Sequence, residues 1–326
     1  MVRILDGIYQ LKVPLPGDLG DTNVYLISGS EGWLMVDTGW ESPEALSALR
    51  SELAQGGIEL EDISSIIITH FHPDHIGLAK AIQEESGAKV LLHREEARYV
   101  QGKFVLSEIL ERTGKWARVL EVKKVEGFTP SEFSFPSLPE VDVVLQGGEE
   151  IVWGDLHLRV IWTPGHSPGH ICLYEPQKGL LFSGDHILPI ITPNVSLNPL
   201  SGDNPLKDYI DSLKLLRELK LELALPAHEH IFTQVEKRIE ELFWHHEERK
   251  REIMRVLFRG EKTLCEVASR ISWLWDGRTI SYSDLTPMDK MMALGETLAH
   301  LEFLRDEGRL EMIATDNSHC YYKTTS

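Results

Sequence analysis

Only three cysteines, Cys172, Cys265 and Cys320, occur in 326 residues. They lie too far apart for a disulfide framework or a thiolate metal knuckle, and such sparse usage points to a reducing cytoplasm. No apolar run approaches the roughly 18 residues of a membrane span, and the opening M-V-R-I-L-D-G lacks the apolar stretch of a signal peptide. Basic charge is scarce as well. The net charge is -18, with 19 basic against 35 acidic residues up to Glu236 and 14 against 16 after it. An acidic surface repels phosphate backbones, so nucleic acid is disfavoured as a partner without being removed. What is there, 42% apolar and 26% charged residues, is the composition of a soluble globular protein. The length allows one large domain and a small second one.

The densest chemistry lies between Ile66 and Gly77, I-I-I-T-H-F-H-P-D-H-I-G. Three β-branched residues predict a buried strand, and His70, His72, Asp74 and His75 follow within six positions. A single histidine is commonly a core group satisfied by one hydrogen bond. Four such residues at the end of one strand instead form a set of nitrogen and oxygen ligands that suits zinc, manganese or iron, on a loop carried by a rigid core.

The same arrangement recurs along the chain. Strand signals at Asn23 to Ile27 and Trp33 to Val36 run into Asp37, and helices are predicted over Glu41 to Leu53 and Leu78 to Ser86. Lys89 to Leu92 leads to His93. Further strands are read at Val141 to Leu145, Glu150 to Trp153, Leu156 to Trp162, Ile171 to Tyr174, Leu180 to Ser183 and Leu221 to Leu225. The third of these runs into T-P-G-H-S-P-G-H, the fifth into G-D-H, and the last, stopped by Pro226, into A-H-E-H. Between Glu95 and Pro139 the pattern loosens into a Ser-, Pro- and Phe-rich stretch that reads as a lid or a surface excursion. A long charged helix from Phe232 to Val256 precedes helices at Thr263 to Ile271 and Lys290 to Glu307 and a closing β-ribbon. Leu294, Leu298, Leu301 and Leu304 give the last helix one apolar face.

Four consecutive ligand types on one loop cannot all meet one ion, so His70 and His72 are expected on one metal and Asp74 and His75 on another. The missing ligands come from His166 or His170, from Asp185, and from His228 or His230, with Asp185 able to touch both ions. Two ions about 3.5–4 Å apart activate a shared water and stabilise the oxyanion that its attack creates.

These residues also carry a resemblance. T-H-F-H-P-D-H (Thr69 to His75) resembles the T-H-x-H-x-D-H signature of the metallo-β-lactamase superfamily. V-D-T-G (Val36 to Gly39), T-P-G-H-S-P-G-H (Thr163 to His170), S-G-D (Ser183 to Asp185) and P-A-H-E (Pro226 to Glu229) match its other landmarks in the same order. The resemblance covers roughly residues 1 to 235 and implies an α+β fold, a four-layer αββα sandwich with metals at the rim of two sheets. It implies His70, His72 and His166 on one ion, Asp74, His75 and His228 on the second, and Asp185 bridging, with zinc as the first expectation and manganese or iron as alternatives. Asp37 would fix the ligand loop from behind, and His170 would support the site without binding metal. Ala227 replaces the glycine usual before the last ligand histidine.

The expected organisation is a catalytic domain over residues 1–240 and a C-terminal domain over 241–326, which is similar to the winged-helix module of a subgroup of these hydrolases. Asp74 is expected to orient the attacking hydroxide and pass a proton to the leaving group, and His186 to meet substrate or leaving group. The segment from His186 to Val195 is expected to wall the cleft. Together these features point to a binuclear metal-dependent hydrolase of a small thioester, ester or lactone acting through a metal-bridging hydroxide. The alternatives are an endoribonuclease or phosphodiesterase, a mononuclear iron sulfur dioxygenase, or a non-enzymatic binding module. The expected partner is a small acyl molecule, not a membrane, and the C-terminal module also permits a homodimer.

Overall fold

The structure is a computed structural model that describes residues 1–17, 20–101, 136–275, 278–314 and 320–325. Its first 145 residues supply a seven-stranded mixed sheet, β1 (Val2–Leu5), β2 (Ile8–Pro14), β3 (Asp21–Gly29), β4 (Gly32–Val36), β5 (Ile63–Ile67), β6 (Lys89–His93) and β7 (Val143–Leu145), in sequential order. The first four strands pair antiparallel and the last four parallel. The apolar stretch from Ile4 to Val13 is divided between β1 and β2 by a tight turn at Asp6 and Gly7. The β-branched run ahead of His70 is buried, as a parallel strand between two others must be.

A second sheet contains β8 (Glu150–Trp153), β9 (Leu156–Trp162), β10 (Ile171–Glu175), β11 (Leu180–Gly184) and β12 (Leu223–Pro226), in the order β12-β11-β10-β9-β8. In β9 buried and exposed residues alternate over Leu156 to Val160, whereas β10 and β11 are buried throughout. Ile27, Leu34, Val36 and Ile67 of the first sheet share one core with Val160, Leu173 and Phe182 of the second. Tyr25 meets Phe182 edge to face at 5.4 Å and donates its hydroxyl to the Pro226 carbonyl at 2.7 Å, joining the sheets beside β12. Mixed sheets flanked by helices thus make an α+β sandwich.

The helices begin and end where local chemistry dictates. Ser42 caps α1 (Pro43–Ala54) by accepting from Ala45 N at 3.0 Å, with Pro43 in the first turn where no N–H is needed. After α2 (Pro73–Ile76), α3 (Ala79–Ser86) ends on Gly87 at φ +70°. The short α4 (Arg94–Val100) follows β6. Most of the 95–139 excursion lies outside the described residues.

The chain divides into two compact units. The larger comprises Met1–Phe104, Ser134–Pro193 and Ser212–Arg238, and the smaller Val105–Phe133, Asn194–Asp211 and Ile239–Ser326. The smaller unit includes 194–211 because that segment is hydrogen-bonded within it, Leu197 N to Gly295 O at 3.0 Å and Asn204 to Asp306 at 2.7 Å. The helices α5 (Pro205–Arg217) and α6 (Val235–Leu257) follow β11 and β12 in the chain. Next come β13 (Lys262–Thr263), α7 (Leu264–Ala268), β14 (Trp273–Trp275), β15 (Arg278–Ile280), α8 (Pro287–Asp306), β16 (Leu310–Ala314) and β17 (Cys320–Thr324). Thr263 and Glu266 form a capping box on α7. In α8 the four leucines are buried, but so are Ala293, Thr297 and His300, so more than one face is covered and α8 is the core helix of its unit. No described helix is long and apolar enough to cross a membrane.

Candidate metal centre

Strand ends converge on the candidate site: β4 delivers Asp37, β5 the 69–75 loop, β9 the 163–170 loop, β11 Asp185 and β12 His228. Asp37 is buried in the left-handed region, φ +59°, a strained setting for a residue with a Cβ. In that position its carboxylate faces the ligand loop. Oδ1 accepts from Thr69 N at 2.7 Å, and Oδ2 accepts from Thr69 Oγ1 at 2.8 Å and His75 Nδ1 at 2.8 Å. With its proton given to Asp37, the Thr69 hydroxyl accepts from His70 Nδ1 at 3.0 Å. One carboxylate therefore takes the Nδ1–H of His75 directly and that of His70 through Thr69, so that Nε2 of both rings is the nitrogen turned to the site. Gly77 closes the loop because a Cβ there would stand 2.4 Å from Pro73 O and 2.5 Å from Glu41 N.

The nitrogens form a tight group. His70 Nε2 lies 2.9 Å from His72 Nδ1, and His166 Nε2 lies 3.2 and 3.0 Å from those two atoms. In the second group Asp74 Oδ2 is 3.6 Å from His75 Nε2 and 3.3 Å from His228 Nε2. Asp185 faces both groups, with Oδ2 3.5 Å from His166 Nε2 and 3.5 Å from His75 Nε2, and Oδ1 3.4 Å from His228 Nε2. Ligands about 2.0–2.1 Å from a tetrahedral zinc stand roughly 3.3–3.4 Å apart, close to these separations. His228 Nδ1 donates to Asp21 O at 3.3 Å, which again directs Nε2 to the site.

The electrostatics of both groups suit a divalent cation. Burial, together with the neighbouring imidazoles, holds His70 well below the usual histidine range and pushes His72 down to about 3, so both are neutral with lone pairs exposed to the cluster. Around the second group, burial is outweighed by carboxylates. Asp74, Asp185 and Asp37 raise His75, and Asp185 and Asp74 raise His228 to about 10, while the imidazoles keep Asp74 and Asp185 well below the ordinary carboxylate range. Negative charge that retains protons on two histidines also attracts a divalent ion. Buried His75 Nε2 and Asp185 Oδ1 have no hydrogen-bond partner among the described residues, which fits atoms shaped for a metal. Two candidate metal clusters, His70/His72/His166 and Asp74/His75/His228, are thus present, with Asp185 between them.

Of the alternatives left open by spacing, His166 joins the first cluster while His170 does not. His170 Nδ1 donates to Thr163 Oγ1 at 2.9 Å and its Nε2 accepts the Asp185 N–H at 3.1 Å, so it orients Asp185. His228 faces the site and His230 is exposed. Ala227 is accommodated, its N–H bonded to Gly184 O and its carbonyl to Asn23 N. His186 is fully buried, with its ring 5.6 Å from that of His170, and burial pushes its pKa down to about 3. Trp162 is partly exposed and donates Nε1 to Pro168 O at 2.9 Å, bracing the His166 loop.

Sequence reasoning passed over Glu229 and Arg238. Glu229, at φ +66°, accepts from Ile190 N at 2.9 Å and Ile191 N at 3.2 Å, while Arg238 binds Leu188 O, Ile190 O and Ile191 O. The wall expected after His186 is held by these two charged side chains. The place of Glu229 directly after a ligand histidine was its one visible signal.

The model of the metallo-beta-lactamase superfamily matches residues 17–228. The "Probable metallo-hydrolase YqjP" of Bacillus subtilis (strain 168) is 26% identical over 98% of this chain and 98% of its own. The Homo sapiens "Acyl-coenzyme A thioesterase MBLAC2" is 29% identical over 70% of this chain and 80% of that protein. Among solved structures, a metallo-beta-lactamase family protein from Thermus thermophilus has a TM-score of 0.81 and 33% identity, covering 98% of this chain and 99% of that one.

Proposed function

The chain belongs to the metallo-beta-lactamase superfamily, and from that premise we propose that this metal-dependent hydrolase cleaves a small acyl thioester, with esters and lactones as related substrates. The observation that carries the reading is the pair of nitrogen and oxygen clusters sharing Asp185. The acyl part is supported by likeness to a protein named as an acyl-coenzyme A thioesterase. His70, His72 and His166 would hold one ion and Asp74, His75 and His228 the other, with Asp185 between them. Zinc suits this donor set best, and manganese or iron are also accommodated. Divalent ions there supply Lewis acidity toward water and toward a carbonyl oxygen.

The chain's own groups do the rest. Asp37 and Thr69 keep the Nε2 lone pairs of His70 and His75 turned to the site, and His170 holds the Asp185 backbone. Asp74 is partly exposed and ionised, so its carboxylate can orient water, take its proton and return it to the leaving thiolate. His186 is given a packing role beside His170 in place of contact with substrate.

A phosphodiesterase is the second reading, favoured by the form of the C-terminal part. The helices α7 and α8 with the β13-β17-β16 sheet support a winged-helix-like module. The basic stripe on α6 weighs against it: Arg249 and Lys250 are buried and paired with Glu252 and Glu247, and Arg251 is paired with Glu248. A sulfur dioxygenase needs a single iron, and the complete second cluster argues otherwise. Metal-loaded protein assayed on acyl thioesters, lactones, single-stranded RNA and model phosphodiesters is expected to turn over a thioester. Turnover of phosphodiesters alone would reverse the order.

A further inference from the structure

Glu96 is a fully buried carboxyl group that none of these roles uses. It stands in α4, where Arg94, Glu95 and Arg98 form ion pairs at the surface, yet its own side chain turns inward. Oε1 accepts from Ser167 Oγ at 2.7 Å and from Gly169 N at 2.6 Å, just beyond His166. The backbone N–H of Phe71, which lies between His70 and His72, faces the same carboxyl group. The buried carboxyl group is therefore bonded to the 163–170 loop, and the helix that carries it also meets the 70–72 segment, through Tyr99 against Phe71.

The packing around it is consistent with a fixed joint. A Cβ on Gly169 would stand 2.5 Å from Glu96 Cγ and 2.9 Å from Glu96 N, so the loop reaches α4 at a position that only glycine fits. Tyr99, on the same helix, stacks on Phe71 at 5.1 Å with planes 12° apart. His93, which caps α4, stacks on Trp162 at 5.2 Å. Burial drives the Glu96 pKa up to about 7 although Ser167, Gly169 and Phe71 all pull it down. Such a site is costly for a carboxyl group, and an alanine or leucine would avoid the cost. Oε2 has no hydrogen-bond partner among the described residues, so the acceptor that matters is Oε1.

We infer that Glu96 is a positioning residue that ties the His166 loop to the His70–His72 loop, and so sets the affinity of the first metal cluster independently of the second. The inference rests on the metal reading of the site. Outer groups that orient ligands commonly change metal affinity by about 10–100-fold. Here the tied segments carry His70, His72 and His166, while of the second group His75 and His228 are held by other partners, Asp37 and Asp21.

The test loads the full chain with zinc or cobalt and measures each ion's dissociation by chelator competition. The cobalt absorption bands report on coordination, and the thermal unfolding of each metal-free variant serves as control. Glu96→Leu is expected to weaken the first ion about 10–100-fold and leave the second within about threefold. Glu96→Gln keeps an acceptor oxygen and is expected to stay within about threefold for both, and Ser167→Ala, losing one contact, to fall between. An unchanged first ion in Glu96→Leu, or equal weakening of both ions, overturns the inference while leaving the metal reading intact. A wild-type chain that takes up no metal overturns both. If Glu96→Leu does not fold, Ser167→Ala decides, and first-ion affinity equal to wild type counts against the inference.

Discussion

Replacing Asp37 with asparagine perturbs both clusters through one buried side chain. Its two oxygens accept three hydrogen bonds, from Thr69 N, Thr69 Oγ1 and His75 Nδ1, and the Thr69 hydroxyl in turn receives His70 Nδ1. An amide has only one acceptor oxygen. If its NH2 takes the Oδ1 position it confronts the Thr69 N–H. If it takes the Oδ2 position it confronts His75 Nδ1–H, and relief requires the proton to move to Nε2, where it blocks the lone pair aimed at the site. Either arrangement leaves a buried donor against a donor, costing about 2 kcal/mol. At 1.36 kcal/mol per decade this is about 30-fold, within the roughly 10–100-fold range known for outer-shell partners. Because the chain of bonds reaches both His70 and His75, both ions are expected to weaken, unlike the selective loss expected for Glu96→Leu. Chelator competition on Asp37→Asn, with circular dichroism to confirm the fold, measures the effect. Affinities within twofold of wild type for both ions would refute the argument that Asp37 sets the tautomers.

Two further predictions concern the smaller unit. His300 donates Nδ1–H to Glu296 O at 2.8 Å and accepts from His246 Nδ1 at 3.1 Å. Burial pushes His300 down to about 4 and His246 lower than its ordinary value, so both are neutral when folded while the unfolded chain takes up protons near 6.5. Their contribution is complete above that value and is lost as pH falls from about 6.5 toward 4, where His300 alone accounts for about 3 kcal/mol. Denaturant titrations across this window should show a shallower loss for His300→Leu than for wild type, and equal slopes contradict the assignment. Leu301→Ala, at a fully buried position of α8, is expected to cost about 2–5 kcal/mol by the same measurement, and a loss below about 1 kcal/mol would mean that the helix is not packed as described.

The candidate ligand set is legible because the segments that carry it follow runs of apolar residues, and a strand end carried by a rigid sheet is where a loop can hold a demanding geometry. Asp37 was readable for the same reason, at the end of Trp33 to Val36. Choosing His166 over His170 was not possible from spacing alone, since both stand in T-P-G-H-S-P-G-H. The choice depends on which ring turns toward His70 and which toward Thr163. The turn at Asp6 and Gly7 and the pairing of β14 with β15 are not marked in the sequence, because pairing between short strands leaves little local periodicity. Glu96 was invisible for a different reason. It stands where the sequence pattern loosens after His93, and only the approach of Ser167 and Gly169, some seventy residues on, gives its carboxyl group partners.

Whether two ions share Asp185 is tested most directly by anomalous scattering at the metal edge from crystals of the protein as purified. Two peaks are expected, one about 2.0–2.2 Å from nitrogens of His70, His72 and His166 and the other at similar distances from Asp74, His75 and His228, with Asp185 within reach of both. A single peak held by His70, His72 and His166 alone, or peaks away from these residues, would contradict it.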